Sequence, residues 1–165
     1  MSSAENEKNL QRVLYREAFE RRDIAAEAEK RAQEADARAS RKYGSLKKWL
    51  QIRDSIPPIL YDLNKRLSVI GAEIRVSQTI PHDYSHPGYP SIGRGRLDFF
   101  IDGKRTTRVM EADLSESGIV HLYMYLPKET KRLEIDISEI DRDRIEALLI
   151  EFVNLATQDD FPIRT

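Results

Sequence analysis

From Glu5 to Lys42 the chain runs without a glycine or proline, and about half of its residues there are charged, with the signs interleaved. Ala, Glu, Arg and Lys dominate, all of them good helix formers. Acid-before-base pairs stand four apart at Glu17–Arg21, Glu27–Arg31 and Glu34–Arg38, which sets opposite charges side by side on a helix in the favoured order. The expectation is one long helical arm over residues 1–43, ahead of a domain over 44–165. Along the arm Leu14, Ala18, Arg21, Ala25, Ala28, Ala32, Ala35 and Ala39 recur at alternating steps of four and three, with Leu10, Val13 and Phe19 thickening the front end. That is heptad spacing. Alanine buries far less than the ~1.5–3 kcal/mol of a leucine, so the seam suits a close-packed helix pair and also a solvated arm. Pairing, as a coiled coil within a homo-oligomer, is the reading adopted.

After Gly44 the texture changes. Leu46, Trp49, Leu50 and Ile52 keep a helical pattern until Pro57-Pro58, where an interruption is expected. A new helix would start on those prolines, bury Ile59, Leu60, Leu63, Leu67 and Ile70, and stop at Gly71. The period then switches to two: Ile74, Val76 and Ile80 alternate with Glu73, Arg75, Ser77 and Thr79 as in a half-buried strand. A meander follows, "RLDFFI" and "RTTRVMEA" around Asp102-Gly103, then "IVHLYMYL" and "RLEIDI". Asp-Gly between alternating runs is a strong hairpin signal. Ser138 or Asp141 caps a last helix, whose Ile145, Leu148, Leu149, Phe152, Val153 and Ala156 form one apolar stripe. The predicted fold is α+β: a long N-terminal helical arm, then a five-stranded, mainly antiparallel sheet with helices packed on one face.

Register decides what the other face shows. With Lys128 and Glu129 in the turn, Met124 meets Leu133, Leu122 meets Ile135 and Val120 meets Ile137 as core pairs. Tyr125–Arg132, Tyr123–Glu134 and His121–Asp136 then look outward, and the Asp102-Gly103 hairpin adds Arg94–Glu111, Arg96–Val109, Asp98–Thr107 and Phe100–Arg105. The open face would carry Tyr123, Tyr125, Phe100 and His121 among Arg94, Arg96, Arg105 and Arg132, the residue types enriched where proteins meet partners. Single-stranded nucleic acid, stacked on the aromatics with arginines on its phosphates, is the second reading. Asp98, Glu111, Glu134 and Asp136 on the same face oppose it.

The chemistry-bearing residues are sparse. His82 and His86 share a loop with Pro81, Pro87 and Pro90, which removes the helical spacing that would preform a metal pair, and His121 is remote in sequence. No metal site is assigned. His121 beside Asp136 is the best acid–base pair, without a matching nucleophile motif; no catalytic residue and no cofactor is predicted, and a His-dependent enzyme is the third reading. Lys and Arg number 27 against 28 Asp and Glu, a net charge of −1 that gives no global pull toward polyanions or an anionic membrane. The absence of cysteine excludes disulfides and thiolate chemistry. The start lacks the order of a signal peptide and no apolar run approaches the ~20 residues that span a bilayer. The expectation is a cytoplasmic, non-enzymatic protein-interaction module.

Overall fold

The computed structural model describes residues 2–77 and 91–158; Ile80, His82 and His86 lie outside the described residues. Helix α1 spans Ser3–Leu67 and passes through a 3-10 turn into β1, Ala72–Val76. Strands β2 (Ser91–Ile101), β3 (Lys104–Ser115), β4 (Ile119–Tyr125) and β5 (Thr130–Asp136) follow, then a 3-10 turn and helix α2, Arg142–Ala156. The five strands lie in sequence order, each antiparallel to its neighbour. This is the α+β architecture read from the sequence. The chain divides into two compact units, Met1–Ser40 and Arg41–Thr165.

In the first unit every described residue is helical or adjoins the helix, and every one is exposed. Leu10, Leu14, Tyr15, Phe19 and Ile24 are each more than half exposed. Of the three charge pairs expected there, Glu27–Arg31 forms an ion pair, at 3.9 Å with both side chains largely in solvent. Such a contact contributes about 0.3–0.5 kcal/mol.

In the second unit the expected interruption of α1 does not occur: the helix runs through Pro57 and Pro58. Each proline removes one donor, and the carbonyls that lose it belong to Arg53 and Asp54, both exposed residues that water can satisfy. Half-buried Ile52 and Ile56 before the prolines, and buried Ile59, Leu60, Leu63 and Leu67 after them, hold both sides against the same core. Tertiary burial thus overrides the local penalty. Gly71 ends the turn in the left-handed region at φ 72°, and Asp141 caps α2 by accepting from the Arg144 amide at 2.7 Å.

Leu97, Phe99, Met110, Leu114, Val120, Leu122, Met124 and Ile135 turn inward to meet α1 and α2, with Phe99 and Phe152 in edge-to-face contact. Two pairings differ from expectation by two residues. In β4–β5, Val120 meets Ile135, Leu122 meets Leu133 and Tyr125 meets Thr130, because Leu126–Glu129 forms the turn, closed by the Leu126 amide on the Glu129 carbonyl at 3.0 Å. In β2–β3 the turn residues Asp102 and Gly103 both have positive φ and Phe100 pairs with Arg105 as expected, but a bulge then shifts the register to Asp98–Val109. The Thr106 hydroxyl fills that bulge, donating to the Phe99 carbonyl at 2.6 Å and accepting from the Arg108 amide at 3.2 Å. A shift of two preserves which face each side chain takes.

The layer between helices and sheet is incompletely filled. A cavity of about 240 Å³ lies among Trp49, Ile52, Ile56, Ala112, Leu122 and Leu148.

Candidate functional site

The outer face of the sheet is built from the outward residues of β1 to β5, while α2 and the part of α1 from Trp49 to Leu67 pack on the inner side. The bulge and the two-residue shift rearrange its expected pairs. Arg94 stands opposite Asp113 and Arg96 opposite Glu111, in place of Arg94–Glu111 and Arg96–Val109. His121 stands opposite Glu134, in place of Asp136, with Nδ1 3.6 Å from the Glu134 carboxylate. On its other side His121 is level with Asp113. Tyr123 meets Arg132 and Tyr125 meets Thr130.

The charges interlock. Arg96 reaches Asp98 at 3.2 Å and Glu111 at 3.5 Å, Arg105 reaches Asp98 at 3.1 Å, and Arg94 lies 3.6 Å from Asp113. Asp113 also accepts a short hydrogen bond from the Ser91 hydroxyl. Three guanidinium groups thus oppose three carboxylates. Asp98 and Asp113 are nearly buried on this face, where a carboxylate requires such partners. The aromatic part is separate. Tyr123 and Tyr125 stack at 6.2 Å with 15° between their planes, Arg132 lies 5.8 Å over Tyr123, and Arg75 lies 4.2 Å over Phe100. Val109 is buried between Tyr125 and Asp98 on neighbouring strands.

All eight open-face candidates therefore lie on the outer side: Arg94, Arg96 and Arg105 inside the charge lattice, Tyr123, Tyr125 and Arg132 along its margin, Phe100 toward β1, and His121 between Asp113 and Glu134. Among the described residues no cluster of three His, Asp or Glu side chains has metal-holding geometry, and no helix is long and apolar enough to cross a membrane. Ser91 donates to Asp113 and accepts from Arg94 Nε at 3.3 Å, which makes it part of the lattice. Arg108 is a further buried cation, its Nε without a hydrogen-bond partner among the described residues.

Two roles escaped the sequence reading. Gly93 and Gly95, unremarkable as a motif, are the floor on which Trp49 rests: a Cβ on Gly93 would stand 2.7 Å from the indole Nε1. Asn64, one polar residue of a helix, binds the backbone of β1. Neither contact has a local signal, because each joins residues far apart in sequence. Comparison with family models, with curated proteins and with solved structures finds no match.

Proposed function

We propose that this protein is a self-associating interaction module, joined to a second copy of itself through the N-terminal part of α1. The observation that carries this reading is that every residue from 2 to 44 is exposed, large apolar side chains included. A lone helix gains most of its stability from burying a face, and one weak ion pair within the arm does not substitute for that. Heptad spacing from Leu14 to Ala39 supplies the face, and alanines along it allow close approach of a twin helix. Light scattering on the full chain tests it. An oligomer that becomes monomeric in Ala35→Asp, and not in Ala37→Asp on the far side of the helix, is the expected result; a monomeric parent protein would refute it.

The outer sheet face is the surface for a different protein partner. Support comes from its charge balance: Arg94, Arg96 and Arg105 are neutralised by Asp98, Glu111 and Asp113, beside the half-buried, stacked Tyr123 and Tyr125. Nucleic acid needs cations free to release counterions, with affinity falling steeply as salt rises. A labelled single-stranded oligonucleotide is expected not to bind at low salt. Salt-sensitive binding lost in Tyr123→Ala would transfer this face to nucleic acid.

A further inference from the structure

The cavity of about 240 Å³ in the second unit has an origin that can be traced residue by residue. Gly95 of β2 pairs with Ala112 of β3, so two small inward positions meet and neither reaches up to the helices. Trp49 closes one end, its Cζ2 3.8 Å from where a Cβ on Gly95 would lie. Ile52 and Ile56 of α1, and Leu148 and Leu149 of α2, complete the walls. Ala112 is only half-buried although it faces the core layer, and Val76, in phase with Ile74, is 52% exposed at the mouth.

Water is a poor occupant, since it needs two to four polar partners. An apolar molecule fits: an engineered apolar hole of ~150 Å³ admits benzene, and this one is larger. The mouth adds a charge. Arg94 and Arg96 border the cavity but their guanidinium groups pair on the outer face. Arg53 also borders it, with its side chain 66% exposed and its neighbour Asp54 at 3.5 Å. We propose that the cavity binds a medium-chain fatty acid, the chain lying among Ile52, Ile56, Ala112 and Leu148 and the carboxylate meeting Arg53.

Trp49 is the only tryptophan of the chain, so its emission reports occupancy. The full-length protein is titrated below the micellar range with decanoate and with decanol, following Trp49 emission and Tm. Both ligands are expected to shift the emission and raise Tm, decanoate binding about two- to fivefold tighter, as an exposed ion pair allows. Arg53→Ala should abolish that preference. Ala112→Leu should fill the cavity and abolish binding of both; if that variant does not fold, Gly95→Ala, whose methyl meets Trp49 at ordinary contact distance, should weaken both. Absence of any response to either ligand, undiminished binding in the filled variants, or equal affinity for acid and alcohol would each overturn the assignment.

Discussion

Asn64 engages the backbone of Ile74 from both sides: its Nδ2 donates to the Ile74 carbonyl and its Oδ1 accepts from the Ile74 amide, each at 2.9 Å. The helix side chain thereby acts as a one-residue strand on the outer edge of β1. Ile74 pairs with Phe99 of β2, so the groups that Asn64 takes are those an edge strand leaves unpaired. The contact also fixes the phase of α1 against the sheet.

Asn64→Ala is expected to destabilise the protein by about 1–3 kcal/mol, since two half-buried backbone groups lose their partner. A lower urea midpoint at constant m-value, with faster hydrogen exchange at the Ile74 amide, is the measurement. A loss under about 0.5 kcal/mol, the range of featureless surface changes, would mean that water replaces the amide at no cost.

Gly93 and Gly95 should respond oppositely to the same methyl. On Gly93 it would lie 2.7 Å from Nε1 and 2.9 Å from Cδ1 of Trp49; on Gly95 its nearest neighbour would be 3.8 Å away. Gly93→Ala therefore displaces the indole and should cost about 1–3 kcal/mol as overpacking, with a shift in Trp49 emission. Gly95→Ala should be tolerated. Equal effects on Tm would show that Trp49 is not seated on Gly93.

The sequence carried the element types and the facing of every strand, because alternation of aliphatic and polar residues from Leu97 to Ile135 leaves one burial solution. Pairing partners were less legible. Parity fixes a strand only to within two residues: the choice between His121–Asp136 and His121–Glu134 depended on a four-residue turn at Leu126–Glu129, and that between Arg94–Glu111 and Arg94–Asp113 on the bulge at Thr106. Continuity of α1 through Pro57-Pro58 was hidden for a related reason: local rules place a break there, and burial of Ile52, Ile56, Ile59 and Leu60 on one core overrides it. The lattice around Asp98 and Asp113 was visible as residue types and not as pairs.

Ser138 tunes Asp136. The carboxylate accepts from the Ser138 hydroxyl at 2.7 Å and from its amide at 2.9 Å, and these bonds hold its pKa below the ordinary aspartate value, the side-chain bond being the larger cause. A depressed pKa means stability that is present above the unfolded-state value, about 3.9, and is lost as pH falls through the folded value. Ser138→Ala should move the Asp136 titration upward toward that value, read from its carboxyl carbon shift, and the small contribution should disappear at higher pH. An unchanged titration would place the control in the backbone bond alone.

Gly44 lies inside α1 with nothing within 4 Å of where a Cβ would stand. Glycine inside a helix is less favourable than alanine by roughly 0.5–1 kcal/mol, so Gly44→Ala should raise helical stability by about that amount. Helicity at 222 nm and the thermal midpoint measure it. A destabilised variant would show that the helix bends at this residue in solution.

The strongest test of pairing compares two alanines that differ only in direction. Ala35 belongs to the heptad seam and Ala37 points about half a turn away from it, yet both are exposed and helical and each loses the same intrinsic propensity on change to aspartate. In a paired arm Ala35→Asp sets a charge between two helices, lowers the thermal midpoint and abolishes its dependence on protein concentration, because association stabilises by mass action. Ala37→Asp should retain that dependence and lose only the propensity difference, at most about 0.7 kcal/mol. Equal behaviour of the two variants, with midpoints independent of concentration in the parent protein, would make α1 over this stretch a solvated rod.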